Sequence, residues 1–127
     1  MTIDEAIMQA DESNPNFIER ARKVKWLSSL DTWIWEQVIK THWPGRDTPG
    51  SFTPYDMDTD PDTALLVPEP WAEELYKNYL NMQVQGINQE MEKYNNSLML
   101  YTSARNQYIR DYQRKHRARM PLVHMKF

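Results

Sequence analysis

Leu80-Asn81-Met82-Gln83-Val84-Gln85-Gly86-Ile87-Asn88-Gln89-Glu90-Met91-Glu92-Lys93-Tyr94-Asn95-Asn96-Ser97-Leu98 is the stretch whose reading decides the fold. Its apolar side chains Leu80, Val84, Ile87, Met91, Tyr94 and Leu98 step by four and three, and the stride continues through Tyr101, Tyr108 and Tyr112, with Arg105 holding one place. That stride keeps side chains on one helical face and makes a heptad-like stripe. The last helical region is therefore expected from Pro70 to about Arg119. Asn95-Asn96-Ser97 crosses it with poor helix formers that cap well. Two helices are expected, about 70–93 and 96–117, with a tight break between them. One helix bent at that point is the alternative. Met120-Pro121 stops the helix, and the apolar Leu122-Val123-His124-Met125-Lys126-Phe127 that follows suggests a docking tail.

Upstream, residues 44–70 hold six of the eight prolines. They read as one long connection, with Phe52, Tyr55 and Leu65-Leu66-Val67 apolar enough to anchor it or to form a short strand. Loops of that length are usually functional or disordered. Before it, Val24, Leu27, Ile34 and Val38 make the stripe of a second helix, about Pro15 to Thr41, ended by Trp43-Pro44-Gly45. Asn14-Pro15 reads as its N-cap and first position. Trp26, Leu30 and Trp33 flank the stripe on one side, Trp35 and Ile39 on the other. So wide an arc suits a central helix, or one covered on a second side by another subunit. Thr2-Ile3-Asp4-Glu5 has the capping-box spacing, which starts a short helix from about Ile3 to Asp11.

The fold class expected is mostly α: a four-helix bundle with a long Pro/Asp-rich loop between the second and third helices and an extended C-terminal tail. Residues 1–119, with the loop at 44–69, form the domain, and 120–127 the tail. The 127 residues fit a single domain.

Composition excludes more than it assigns. Without cysteine there is no disulfide scaffold, thiol nucleophile or Cys-ligated metal. Three glycines cannot build a phosphate loop, and His42, His116 and His124 lack the spacing of a helical zinc motif. A mean hydropathy of -0.81 with no long apolar run argues against a membrane span. Residues 1–12 carry four acids and no base, so no signal peptide is expected.

Charge is unevenly spread along the chain. Between Pro44 and Pro70 six acids face one base, Arg46; between Arg105 and Phe127 seven bases face one acid, Asp111. Such a split suggests partners of opposite sign, which in an oligomer can be copies of the same chain. The alternating Asp56, Asp58, Asp60 and Asp62 resemble a calcium loop, but Pro61 and Val67 stand where that loop needs Gly and a bidentate Glu. No serine has a nucleophile-elbow context. Glu73 and Glu74 are adjacent on a helix and cannot face one another across a substrate. Arginines interleaved with Tyr101, Tyr108 and Tyr112 have the composition of a nucleic-acid surface, although core packing claims those tyrosines first.

Taken in order, several strings resemble small head–tail connector (adaptor) proteins of tailed phages and prophages of Gram-positive bacteria. They are Thr2-Ile3-Asp4-Glu5-Ala6, Asn14-Pro15-Asn16, Trp26-Leu27-Ser28-Ser29-Leu30-Asp31, and Tyr55-Asp56 leading to Asp60-Pro61-Asp62-Thr63. Leu65-Leu66-Val67-Pro68-Glu69-Pro70-Trp71, Glu92-Lys93-Tyr94-Asn95-Asn96-Ser97 and Met120-Pro121 follow. The resemblance implies a structural protein without enzymatic role, cofactor, catalytic residue or metal. It implies a ring, typically of twelve, beneath the portal protein in the neck of a virion assembled in the host cytoplasm. DNA would pass through its channel without specific binding, and a tail-side neck or tail protein would dock on its far side. No membrane partner is expected.

On that basis Arg105, Arg110, Arg114, Lys115, Arg117 and Arg119, with Leu122, Val123, Met125 and Phe127, are expected to meet the portal or a neighbouring subunit. Trp26, Trp33 and Trp35, with Asp56, Asp58, Asp60 and Asp62, are expected at the subunit interface. The alternative function is a small helical DNA-binding or regulatory module.

Overall fold

Helix α1, Ile3–Ser13, starts where its capping box lies. Thr2 Oγ1 accepts from the Glu5 amide at 3.1 Å, and Glu5 Oε1 accepts from the Thr2 amide at 3.2 Å. The first amides of the helix are met by a distant segment: Ile3 N–H donates to the Thr63 carbonyl (3.0 Å) and Asp4 N–H to that of Pro61 (3.1 Å). The start of α1, which a lone helix would leave unpaired, is thus where the long loop docks.

This computed structural model describes residues 1–43 and 49–117. Helix α2 is Arg20–Ile34, α3 is Ala72–Ile87 and α4 is Met91–Lys115. The chain is mostly helical, with four α-helices and no strand among the described residues; Thr2 and Ala64 form an isolated antiparallel bridge. Leu65–Val67 anchors the loop rather than forming a strand.

Two boundaries differ from the sequence expectation. Asn14-Pro15 does not start α2. The Asn16 side chain instead closes the link, donating to Asp11 Oδ1 (3.2 Å) and to the Asn14 carbonyl (2.9 Å) while accepting from the Ile18 amide (3.0 Å). The helix then begins at Arg20, after Glu19, with no side-chain cap. At its far end α2 widens into a π-helical turn, Trp35–Ile39, where the Lys40 amide reaches back to the Trp35 carbonyl (2.8 Å). His42 Nδ1 sits 2.6 Å from the Val38 carbonyl, which can only accept, so that nitrogen carries the proton.

The break in the last helical region lies at residues 88–90 and not at Asn95-Asn96-Ser97, which are inside α4. Gln89 N–H donates to the Gly86 carbonyl (3.2 Å) and Glu90 N–H to that of Gln85 (2.9 Å). This is the Schellman pattern, with Gln89 in the left-handed region at φ 58°. The chain reverses there, so α3 and α4 pack antiparallel and the single stripe is cut in two. Leu80, Val84, Tyr101, Tyr108 and Tyr112 are buried; Ile87, Met91 and Leu98 are exposed. The buried row of α4 is Ser97, Tyr101, Ala104, Tyr108 and Tyr112. Its two small members let the helices approach, and Ser97 Oγ donates to the buried Gln85 Oε1 at 2.7 Å. Gly86 serves the same approach: a Cβ there would lie 3.3 Å from the Tyr94 ring.

Ile3, Leu27, Ile34, Val67, Leu75, Tyr76 and Leu80 are all but inaccessible and form the centre of the core. Asp31 is buried among them, 0% exposed. Its Oδ1 accepts from Tyr76 (2.6 Å); its Oδ2 accepts from the Tyr55 hydroxyl (2.5 Å) and the Leu66 amide (3.0 Å). The Tyr76 hydroxyl accepts in turn from the Val67 amide (2.9 Å), and Ser28 Oγ from that of Tyr55 (3.0 Å). One carboxylate therefore clasps both ends of the 55–67 segment to α2 and α3. The second side of α2 is covered by this loop of the same chain.

Candidate interaction surface

The acidic segment projects from that clasp. Asp56, Asp58, Asp60 and Asp62 are all exposed. Asp56 Oδ1 accepts from the Asp58 amide (2.8 Å), and Asp60 Oδ1 from the Asp62 amide (2.9 Å). These are Asx turns, the conformation for which a short carboxylate is suited. Among the described residues no group of three or more His, Cys, Asp or Glu is placed to hold a metal ion.

The basic residues divide. Arg110, Arg114, Lys115 and Arg117 are exposed on the last turns of α4 and just beyond. Asp111 takes Lys115 at 3.0 Å and Arg114 at 3.7 Å, and the Lys115 ammonium lies 5.9 Å from the Trp71 ring centre. Bases in the last turn also complement the helix dipole. Arg105 is different: it is half-buried, its guanidinium 5.4 Å from the ring centres of both Trp33 and Tyr101. Burial pushes the Tyr101 hydroxyl above its ordinary range, with the Arg105 charge pulling partly back. Arg119, Leu122, Val123, Met125 and Phe127, and with them the expected docking tail, lie outside the described residues.

The tryptophans also separate. Trp35 is half-buried and stacks on Phe52 of the same chain's loop, rings 6.2 Å apart. Trp26 is half-buried against the core, and Trp33 is 41% exposed. Of the three, Trp33 presents the most surface for a partner.

Two surface features went unread in the sequence. A cleft of about 320 Å³ opens where the end of α4 meets the segment before α3, lined by Leu66, Pro68, Pro70, Trp71, Tyr108 and Tyr112, with the charges of Asp111 and Lys115 among its lining. Its signal was the run of prolines with an adjoining tryptophan. The other is the uncharged middle of α4: residues 94–104 contain no Asp, Glu, Lys, Arg or His, yet Leu98, Met99 and Leu100 are exposed. A surface helix normally carries charges on its outer face.

No helix of the described residues is long and apolar enough to cross a membrane. A scan against protein-family models, a search of curated proteins and a search of solved structures each return no match.

Proposed function

We propose that this chain is a structural adaptor of a tailed-phage neck. Copies would assemble as a ring beneath the portal, extend the DNA channel and offer a platform to the next tail-side protein. The observation that carries the reading is the separation of exposed charge onto two different elements of the fold. Exposed carboxylates project from the 56–62 loop, and exposed bases from the end of α4. A closed ring requires a heterologous contact, in which one face of a subunit meets a different face of the next. Opposite charges on separate faces also favour that contact over like-to-like pairing.

The resemblance to connector proteins supports the reading from a second direction. Its strings include most residues of the Asp31 clasp, Ser28 and Asp31, Tyr55, and Leu66-Val67, though not Tyr76. A clasp that fixes a loop at both ends suits a part whose loop must be presented rigidly.

Charge reversal at Arg114, Lys115 and Arg117 is the test of portal attachment. The triple variant should fail to be retained by immobilised portal protein that retains the wild type. Equal retention would count against this use of the basic end. The DNA-binding alternative predicts salt-dependent retention of duplex DNA, which a structural ring subunit would not need.

A further inference from the structure

We propose that the cluster Trp33–Arg105–Tyr101 is the receiving half of a contact between copies of this chain, and that the acidic 56–62 segment of the next copy is what it receives. The inference rests on the ring reading above and names the two surfaces that meet within it.

The Arg105 side chain is held against two aromatic rings and also hydrogen-bonds the Tyr101 hydroxyl. Its guanidinium lies 5.4 Å from the centres of both the Trp33 and the Tyr101 ring, and its Nε is buried with no hydrogen-bond partner. No carboxylate among the described residues forms an ion pair with it. Arg105 is thus already ordered while its charge is uncompensated within the described chain. A planar guanidinium presents a fork of donors that matches a carboxylate. Ordering it in advance removes part of the entropic cost of binding. Trp, Tyr and Arg are also the side chains that most often dominate protein interfaces, where a surrounding apolar rim excludes water. Here the partly exposed Trp33 and Leu98, with the uncharged 94–104 stretch, supply such surroundings.

The opposite surface is equally prepared. The loop is pinned at Tyr55 and Leu66 by Asp31, so residues 56–62 are fixed in position. Its carboxylates join no ion pair among the described residues. Ser28, which holds the loop, and Trp33, which carries the cluster, are five positions apart on α2, roughly 140° around the helix at 100° per residue. The two surfaces lie on different sides of α2, and the pinned loop cannot swing between them. Contact is therefore between copies, loop to cluster in one direction, which is the heterologous arrangement that propagates into a ring.

The test uses two full-length variants, Arg105→Glu and the double variant Asp58→Lys/Asp62→Lys, each mixed with portal protein from the same genome, with mass measured by light scattering. Wild type should load as a multi-copy assembly. Each variant should lose inter-copy association by at least tenfold. The two variants mixed without wild type should recover association, since the acidic loop of one meets Arg105 of the other and the reversed charges of the second contact are again opposite. Asp58 and Asp62 are exposed, and the turn hydrogen bonds are accepted by Asp56 and Asp60, so the double variant tests the contact even where substitution of Arg105 costs stability. Assembly of both variants equal to wild type would overturn this inference and leave the ring reading intact. Failure of wild type to assemble at all would overturn both.

Discussion

The Tyr76 hydroxyl donates to Asp31 Oδ1 at 2.6 Å and accepts from the Val67 amide at 2.9 Å, so a residue of α3 bridges a carboxylate of α2 and the backbone of the loop. Burial pushes the Asp31 carboxyl above the ordinary carboxylate range, and three donated hydrogen bonds oppose that shift. In a core this dry, a polar network stabilises only when each member is satisfied. The Asp31 clasp meets that condition through two tyrosines and one amide.

Tyr76→Phe removes one donor to Asp31 and strands the Val67 amide. It should cost about 1–3 kcal/mol, the range for leaving a buried polar group unpaired. Asp31→Ala strips the acceptor from three donors and should cost more than Tyr76→Phe. Urea unfolding followed by tryptophan fluorescence reads both. A loss below about 0.5 kcal/mol for either, typical of surface positions, would show that the clasp is not needed for stability.

Alkaline pH should unfold the protein through the same residues. Burial, and then the Asp31 charge, push the hydroxyls of Tyr55 and Tyr76 above their ordinary value of 10.0. Their folded-state values exceed the unfolded one, so the stability they contribute is fully present below about pH 10 and is lost as pH rises beyond it. Phenolate absorbance should show at least two tyrosines that ionise only as the fold is lost. Their smooth titration in a protein that still gives a native circular dichroism spectrum would contradict this.

Gln89→Gly should stabilise the α3–α4 turn. Gln89 sits at φ 58°, a conformation that costs a side-chain-bearing residue about 1 kcal/mol and glycine almost nothing. A rise in thermal midpoint of several degrees is expected. An unchanged or lower midpoint would mean that the Gln side chain compensates for its backbone.

Thr2→Ala should loosen the start of α1 by about 1 kcal/mol, the usual cost of losing a capping hydroxyl. Amide exchange in residues 3–6 should accelerate before global unfolding does. Uniform acceleration along the chain would instead make the cap part of the cooperative core.

What could be read in the sequence was what depends on neighbours in the chain. Thr2 and Glu5 are three residues apart, and their capping box stands as expected. The fold class follows from apolar spacing within single helices. The α3–α4 break was misplaced because Gln89 occupies the left-handed position where a glycine would have announced the turn, while Asn95-Asn96-Ser97 advertise a cap that the packing of Ser97 on Gln85 overrides. Asn14-Pro15 misled in the same way, because Asn16 ties the chain back to Asp11. The partners of Asp31 lie 24, 35 and 45 residues away, beyond any periodicity. Trp33 and Arg105 each stood out in the sequence as candidates for an interface, but only the packed helices put one upon the other.

The central claim is that many copies of this chain gather on one portal. Native mass of the portal complex, measured with the full-length chain in excess, tests it most directly. The account predicts a discrete species carrying a closed ring of copies, typically twelve, per portal. A portal that carries a single copy, or none, at saturating chain would contradict it.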